Sequence, residues 1–138
     1  GLFESIAGAA SDPAQGVFDV FLGAAATLED TDFIDPCPIG TMAREVANVS
    51  EPLRRAASEA FDSWVEAVAT HLRRAGVTAG AARSLAELSV ASLEGGFILS
   101  RTRRDASILE RTGRHVATLI SADLAAAGQV SGRGRSRS

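Results

Sequence analysis

Glu94 is the side chain whose setting most needs a chemical explanation. It lies within the most apolar stretch of the chain, among Leu93, Gly95, Gly96, Phe97, Ile98 and Leu99. An ionised carboxylate in such surroundings needs a partner. An arginine, the start of a neighbouring helix or a bound ligand would each serve. Phe18, Phe21, Met42, Phe61, Trp64 and Phe97 supply the aromatic and thioether surface that, grouped around one polar residue such as Glu94, makes an apolar ligand pocket. The same residues also make an ordinary core, and the sequence leaves both readings open. Cys37 precedes a helix start, where the helix dipole favours a thiolate and so suits an oxidant sensor. Packing at the helix entry is the simpler reading, because Cys37 is the only cysteine and an internal disulfide is impossible. His71 and His115 fall on helix exteriors with no clustered acids or cysteine, so no metal site is expected. No Ser-His-Asp set, paired carboxylates or phosphate-cradling glycine loop stands out. Gly95 and Gly96 lie inside a helical stretch. The expectation is a protein that is not an enzyme and uses no cofactor.

These residues must be positioned by helices. Asp12-Pro13 reads as an N-cap followed by a first-turn proline. Val17, Phe18, Phe21, Ala25 and Leu28 then follow helical spacing. Leu2 to Ala10 reads as one or two earlier helical turns. Four acids among residues 29–36 mark a loop. Pro38 opens a short helix with Ile39, Met42, Ala43 and Val46 on one side. Ser50 caps the next helix, whose stripe is Leu53, Ala57, Phe61 (or Ala60), Trp64, Val68 and Leu72, and Gly76 ends it. Thr78 caps a central helix, best seen from Ala81 to Arg103, that is apolar or small almost all round. Such a helix must be covered on two sides, and in a chain this short the second cover is expected to be another copy; the plainer alternative is a single central helix in a monomeric bundle. Gly95 and Gly96 each cost roughly 1 kcal/mol inside a helix, which implies close packing there. Asp105 caps the last helix, where Leu109, Gly113, Val116, Ile120 and Leu124 form a seam spaced for helix-on-helix packing. Gly128 stops it, and residues 129–138 read as a disordered basic tail after one domain at 1–128. No sustained period-2 alternation occurs, so the fold class is all-α, a bundle of about five helices.

Composition narrows the function. Apolar residues make up 46% of the 138, enough for a real core. Net charge is −3, and −6 without Arg133, Arg135 and Arg137 of the tail. That body is a poor footprint for nucleic acid. No run is long and apolar enough to span a membrane, the start lacks the basic region of a signal peptide, and there is one cysteine. Together these make the cytoplasm the expected location, with no membrane partner.

Two stretches carry a family resemblance. CPIGTMAREVANVSEPLRRAASEAFDSWVEAV, residues 37–68, and LSVASLEGGFILSRTRRDASIL, residues 88–109, together resemble the C-terminal domain of TetR-family transcriptional regulators of the LmrA/YxaF-like subgroup. The resemblance covers roughly residues 1–127 and rests on the order and spacing of the motifs. It implies an effector-binding and dimerisation domain of a bacterial repressor, in which a small apolar ligand relieves DNA binding by the parent protein. It also implies a homodimer built on the last two helices. Leu88, Ala91, Gly95 and Leu99 of the central helix and Leu109, Gly113, Val116, Ile120 and Leu124 of the last are the expected contacts. DNA would be bound only through a helix-turn-helix domain that is not in these residues. The rivals are a helical enzyme or carrier of a small hydrophobic molecule, and a purely structural dimeric bundle.

Overall fold

Asp12 and Pro13 open the first helix. The Asp12 carboxylate accepts from the Ala14 N–H at 3.0 Å, and Pro13 sits where its missing N–H leaves no bond unmade. The structure, a computed structural model, describes residues 12–34, 37–46 and 48–135; the turns expected at Leu2 to Ala10 lie outside them. Five helices and no strand occur among the described residues. They are α1 (Pro13–Asp30), α2 (Pro38–Val46), α3 (Glu51–Arg74), α4 (Ala79–Arg103) and α5 (Ser107–Arg135).

Caps fix most of these boundaries. Ser50 Oγ accepts from the Leu53 N–H at 3.5 Å, and Asp105 accepts from the Ser107 N–H at 3.0 Å. After α3 the N–H groups of Gly76 and Val77 donate to the carbonyls of Arg73 and Leu72 at 3.0 and 3.1 Å. This closes a Schellman turn, with Gly76 at φ 99°. A side chain there is strained. Gly76→Ala should therefore lower stability by about 1 kcal/mol, read as the shift in a urea midpoint.

At the start of α3, hydrogen bonds from Arg54 and then Arg55 hold the Glu51 carboxyl at a pKa of about 2, below its ordinary 4.5. A depressed carboxyl supports the fold above its unfolded pKa and loses that support as pH falls through the folded one. Acidification from about 4.5 towards 2 should loosen this first turn, though a fully exposed pair contributes little.

The helices bury one common core. Phe21 and Leu28 of α1, Val68 and Leu72 of α3, Leu93 of α4, and Leu109 and Ile120 of α5 are its large members. α4 is central, packing on α3 and α5 and touching α1; α5 also lies along α1, and α2 packs on α3. Two glycines permit close helix contacts within this core. A Cβ at Gly96 would come within 2.6 Å of Leu109 Cδ2, and one at Gly113 within 2.5 Å of Phe21 Cβ. The close packing expected at the glycine pair thus exists at Gly96, but the neighbour is the chain's own last helix. A Cβ at Gly95 would meet nothing within 4 Å.

Two expectations need correction. α5 does not stop at Gly128 but continues to Arg135. The described part of the expected tail is therefore helical, because a glycine with space around it lowers helix propensity without ending the helix. The seam Leu109, Gly113, Val116 and Ile120 is buried within the chain itself, with Leu109 and Ile120 fully covered. Its spacing is that of helix packing, but α1 and α4 of the same chain fill it.

Candidate functional site

The short helix α2 is held to the central helix by a polar contact. Cys37 Sγ lies 3.1 Å from Glu94 Oε1 and accepts from the Gly40 N–H at 3.4 Å. The thiol is the donor to the carboxylate. Glu94 Oε2 rests directly on Gly40, where a Cβ would come within 2.0 Å of it. Glu94 therefore meets the N-terminal turn of α2, one of the roles open to it from sequence, and glycine at 40 makes the approach possible. The hydroxyl of Thr41, the next residue, is buried without a hydrogen-bond partner in the structure. Buried orphan hydroxyls are uncommon, and among the described residues Ser100 Oγ on α4 is another.

Cys37 is 8% exposed, which fits the packing reading of this cysteine better than a sensor open to oxidants. Cys37→Ser keeps a donor to Glu94 and should change stability little. Cys37→Ala removes that donor and should cost about 1–2 kcal/mol more. Thermal denaturation of the two variants side by side checks the difference.

The other expected pocket residues lie on the same and neighbouring elements. On α3, Phe61 and Trp64 meet edge to face with ring centroids 5.3 Å apart. They and Phe97 of α4 are half-buried and pack against the core. Met42 is half-buried on α2. Phe21 sits elsewhere, in the core against Gly113, and Phe18 lies on the α1–α5 flank with the Arg114 guanidinium 5.5 Å from its ring centroid. The seven expected residues thus divide. Met42, Phe61, Trp64, Glu94 and Phe97 belong to the α2–α3–α4 layer, while Phe18 and Phe21 belong to the α1–α5 contact.

The expected pairing face divides as well. On α4, Leu88 and Leu99 are 39% and 48% exposed, Ala91 is exposed, and Gly95 is open. Ile98 joins this stripe at 43%. On α5, Leu124 packs partly against the core, whereas Leu119 is 52% exposed. Leu109 faces α4 and Gly113 faces α1, so a turn of roughly 100° per residue puts Leu119 on the flank of α5 beside α4. The spacing i, i+3, i+4 showed the buried stripes, but two exposed apolar positions, Ile98 and Leu119, stood outside the seams it drew.

A second junction was not foreseen. Asp32 and Phe33 adopt φ 52° and 61°, and Arg104 at the end of α4 adopts 51°. Arg104 pairs with Asp32 and lies over the Phe33 ring at 5.1 Å. Arg101 Nε donates to the Phe33 carbonyl at 3.1 Å. The acidic loop and the arginine-rich turn, each visible in sequence, are partners.

No group of three or more metal-ligating side chains occurs among the described residues. No helix among them is long and apolar enough to cross a membrane.

The Cys-Pro helix and the aromatic-Trp helix are thus laid with a central Leu-Glu-Gly helix in an all-α layer. Residues 13–115 match the family described as transcriptional regulator LmrA/YxaF-like, C-terminal domain, and the chain belongs to this TetR-type family. Among its relatives, the HTH-type transcriptional regulator LmrA of Bacillus subtilis is 32% identical over 101 residues, covering 73% of this chain and 54% of the relative. The uncharacterized HTH-type transcriptional regulator YxaF of the same organism is 31% identical over 110 residues, 80% of this chain and 58% of the relative. An uncharacterized HTH-type transcriptional regulator of Mycobacterium tuberculosis is 32% identical over 102 residues, 70% and 53% respectively. The chain spans just over half the length of these curated relatives.

Proposed function

We propose that this domain binds a small apolar effector in the α2–α3–α4 layer, and that binding relieves DNA binding by the repressor to which the domain belongs. The observation that carries the reading is the half-buried polar contact at the α2 entry, Glu94 with Cys37 and the unpartnered Thr41 hydroxyl, in the same three-helix layer as Met42, Phe61, Trp64 and Phe97. An apolar wall with a few convergent polar atoms suits a flat hydrophobic molecule carrying one polar substituent. α2 is only nine residues long and is tied to α4 through Cys37 and Gly40. A ligand bearing on Glu94 would therefore shift α2 against the central helix. That is the differential contact an allosteric effector requires.

The domain pairs with a second copy through α4 and the α4 flank of α5. Leu88, Ala91, Ile98, Leu99 and Leu119 form the apolar stripe, and Gly95 lets the two central helices approach across a two-fold axis. A change in the spacing of the protomers would then decide whether two DNA-binding heads fit successive major grooves. That the relatives are transcriptional regulators supports a regulatory rather than a catalytic role.

A thermal-shift screen of flat hydrophobic compounds tests the effector reading. A ligand that binds only the native state at a hundred times its Kd adds about 2.7 kcal/mol of stability. At least one compound class should raise the melting temperature dose-dependently, and Glu94→Gln should change which compounds do so. A broad panel that leaves the transition where it is would remove the proposal.

A further inference from the structure

α2 stands apart from the rest of the bundle. It packs on α3, and among the described residues it has no comparable contact with another helix. None of its described side chains belongs to the common core or to the partly buried group packed against that core. Ile39, Met42 and Ala43 are only half-buried, and Arg44 and Glu45 are exposed. Ile34 before it and Val49 after it are 69% and 82% exposed. Burial is found at its entry and first turn, at Cys37 and Gly40, and both of these bear on Glu94 of α4. We infer that α2 is a lid, which comes off Glu94 as one unit while the four long helices stay packed, and so admits an effector.

The packing makes this opening easier than unfolding. Local opening is least costly where few buried apolar contacts break. Removing α2 breaks its contacts with α3 and Glu94 and leaves the common core whole. Its nine residues fall short of the roughly 12–15 that a helix needs to persist alone in water. α2 therefore keeps its form by lying on α3 and Glu94, and gives way as a unit. The attachment is also uneven along its length. At the first turn Glu94 Oε2 lies so close to Gly40 that no Cβ would fit. At the last turn a cleft of about 370 Å³ is bordered by Arg44 of α2 and by Arg101 and Thr102 of α4. A strap held this way is released by one event, the loss of Cys37 and Gly40 from Glu94.

Opening frees the Cys37 thiol, the two Glu94 oxygens now in contact with Cys37 and Gly40, and the α3 surface beneath α2. A molecule can then reach the carboxylate from solvent and be covered as α2 returns, the usual work of a lid. The use of the lid as an entry path rests on the effector reading above; the opening itself does not.

Cys37 is the only cysteine and is 8% exposed, so its alkylation by N-ethylmaleimide, followed by intact mass, reports the opening in the 138-residue chain. Labelling should be slower than in the urea-unfolded chain, yet on the order of a hundredfold faster than global unfolding allows. It should change little with low urea, because the opening exposes little surface. Amide exchange over residues 41–45 should give the same opening equilibrium, and Leu93 and Leu109 a far smaller one. Gly40→Ala, which sets a Cβ against Glu94, should speed labelling about tenfold without a matching fall in the urea midpoint. Glu94→Gln, which keeps the shape of the side chain and removes its charge, should speed it too. Compounds that raise the melting temperature should slow it saturably. The lid is overturned if labelling follows the urea dependence of global unfolding, if the thiol reacts as fast as in the unfolded chain, or if both variants label as wild type does. Stabilising compounds that leave the labelling rate unchanged would overturn the entry path while the effector reading stands. A panel with no binder would remove the effector reading and the entry path with it, and the opening is then decided by the urea dependence and the two variants.

Discussion

Gly113→Leu should unfold the domain. A Cβ at this position already falls 2.5 Å from Phe21 Cβ and 2.6 Å from Cγ, and the remaining side-chain carbons have nowhere to go. Phe21 is 1% exposed and lies between helices, so it cannot swing away without opening the core. Overpacking commonly costs about 1–3 kcal/mol. Here two helices must separate, so about 3 kcal/mol or more is expected, a large part of the 5–15 kcal/mol typical of a domain. Gly23→Ala is the opposite case. Its Cβ would meet nothing within 4 Å on α1, and it should gain up to about 1 kcal/mol from helix propensity. Thermal denaturation followed by circular dichroism should show Gly113→Leu largely unfolded and Gly23→Ala more stable than wild type. A cooperative Gly113→Leu transition near the wild-type temperature would mean that α1 and α5 do not pack as described.

Gly95→Arg should dissociate the proposed dimer. Within one chain the position is open, so the arginine does not disturb the fold of a single copy. Across a two-fold axis the substitution acts twice and sets two guanidiniums against each other in a surface from which they must exclude water, at a cost large on the scale of an interface. Leu119→Arg tests the α5 side of the same face and, at 52% exposure, is also compatible with a folded monomer. Ile120→Arg is not a test of pairing, because Ile120 is fully buried within the chain and the variant would simply unfold. Sedimentation equilibrium at micromolar concentration should find wild type and Arg54→Ala dimeric and the two arginine variants monomeric. A monomeric wild type, or variants that remain dimers, would mean that the exposed α4 stripe serves something other than pairing.

Local chemistry was the most readable part of the sequence. Asp12-Pro13, Ser50, Thr78, Gly76 and Asp105 act where their side chains or backbones predict, because a cap depends on residues two or three positions away. Partners far apart in sequence were not readable. Cys37 and Glu94 are separated by 57 residues, and Arg101 and Phe33 by 68. Nothing in either local pattern names the other. The α5 seam shows the same limit: a spacing of four and three states that a helix packs on a helix, and is silent on whether that helix belongs to the same chain. Gly95 and Gly96 are adjacent and identical in type, yet one meets Leu109 and the other meets nothing. Only the rotation of α4 about its axis separates them. Among the aromatics, hydrophobicity alone could not tell Phe21, spent on the core, from Trp64, half-buried on α3.

The central claim is that the α2–α3–α4 layer receives an effector, and the emission of Trp64 tests it most directly. Trp64 is the only tryptophan, so every change in indole emission reports this layer. Compounds that raise the melting temperature should change that emission saturably, with the same midpoint as the thermal shift. Phe97→Ala should weaken the response, and Leu22→Ala, on an exposed position of α1, should leave it unaltered. Compounds that stabilise the protein with no change at Trp64, or with an equal change in Phe97→Ala, would place the ligand elsewhere and contradict the account.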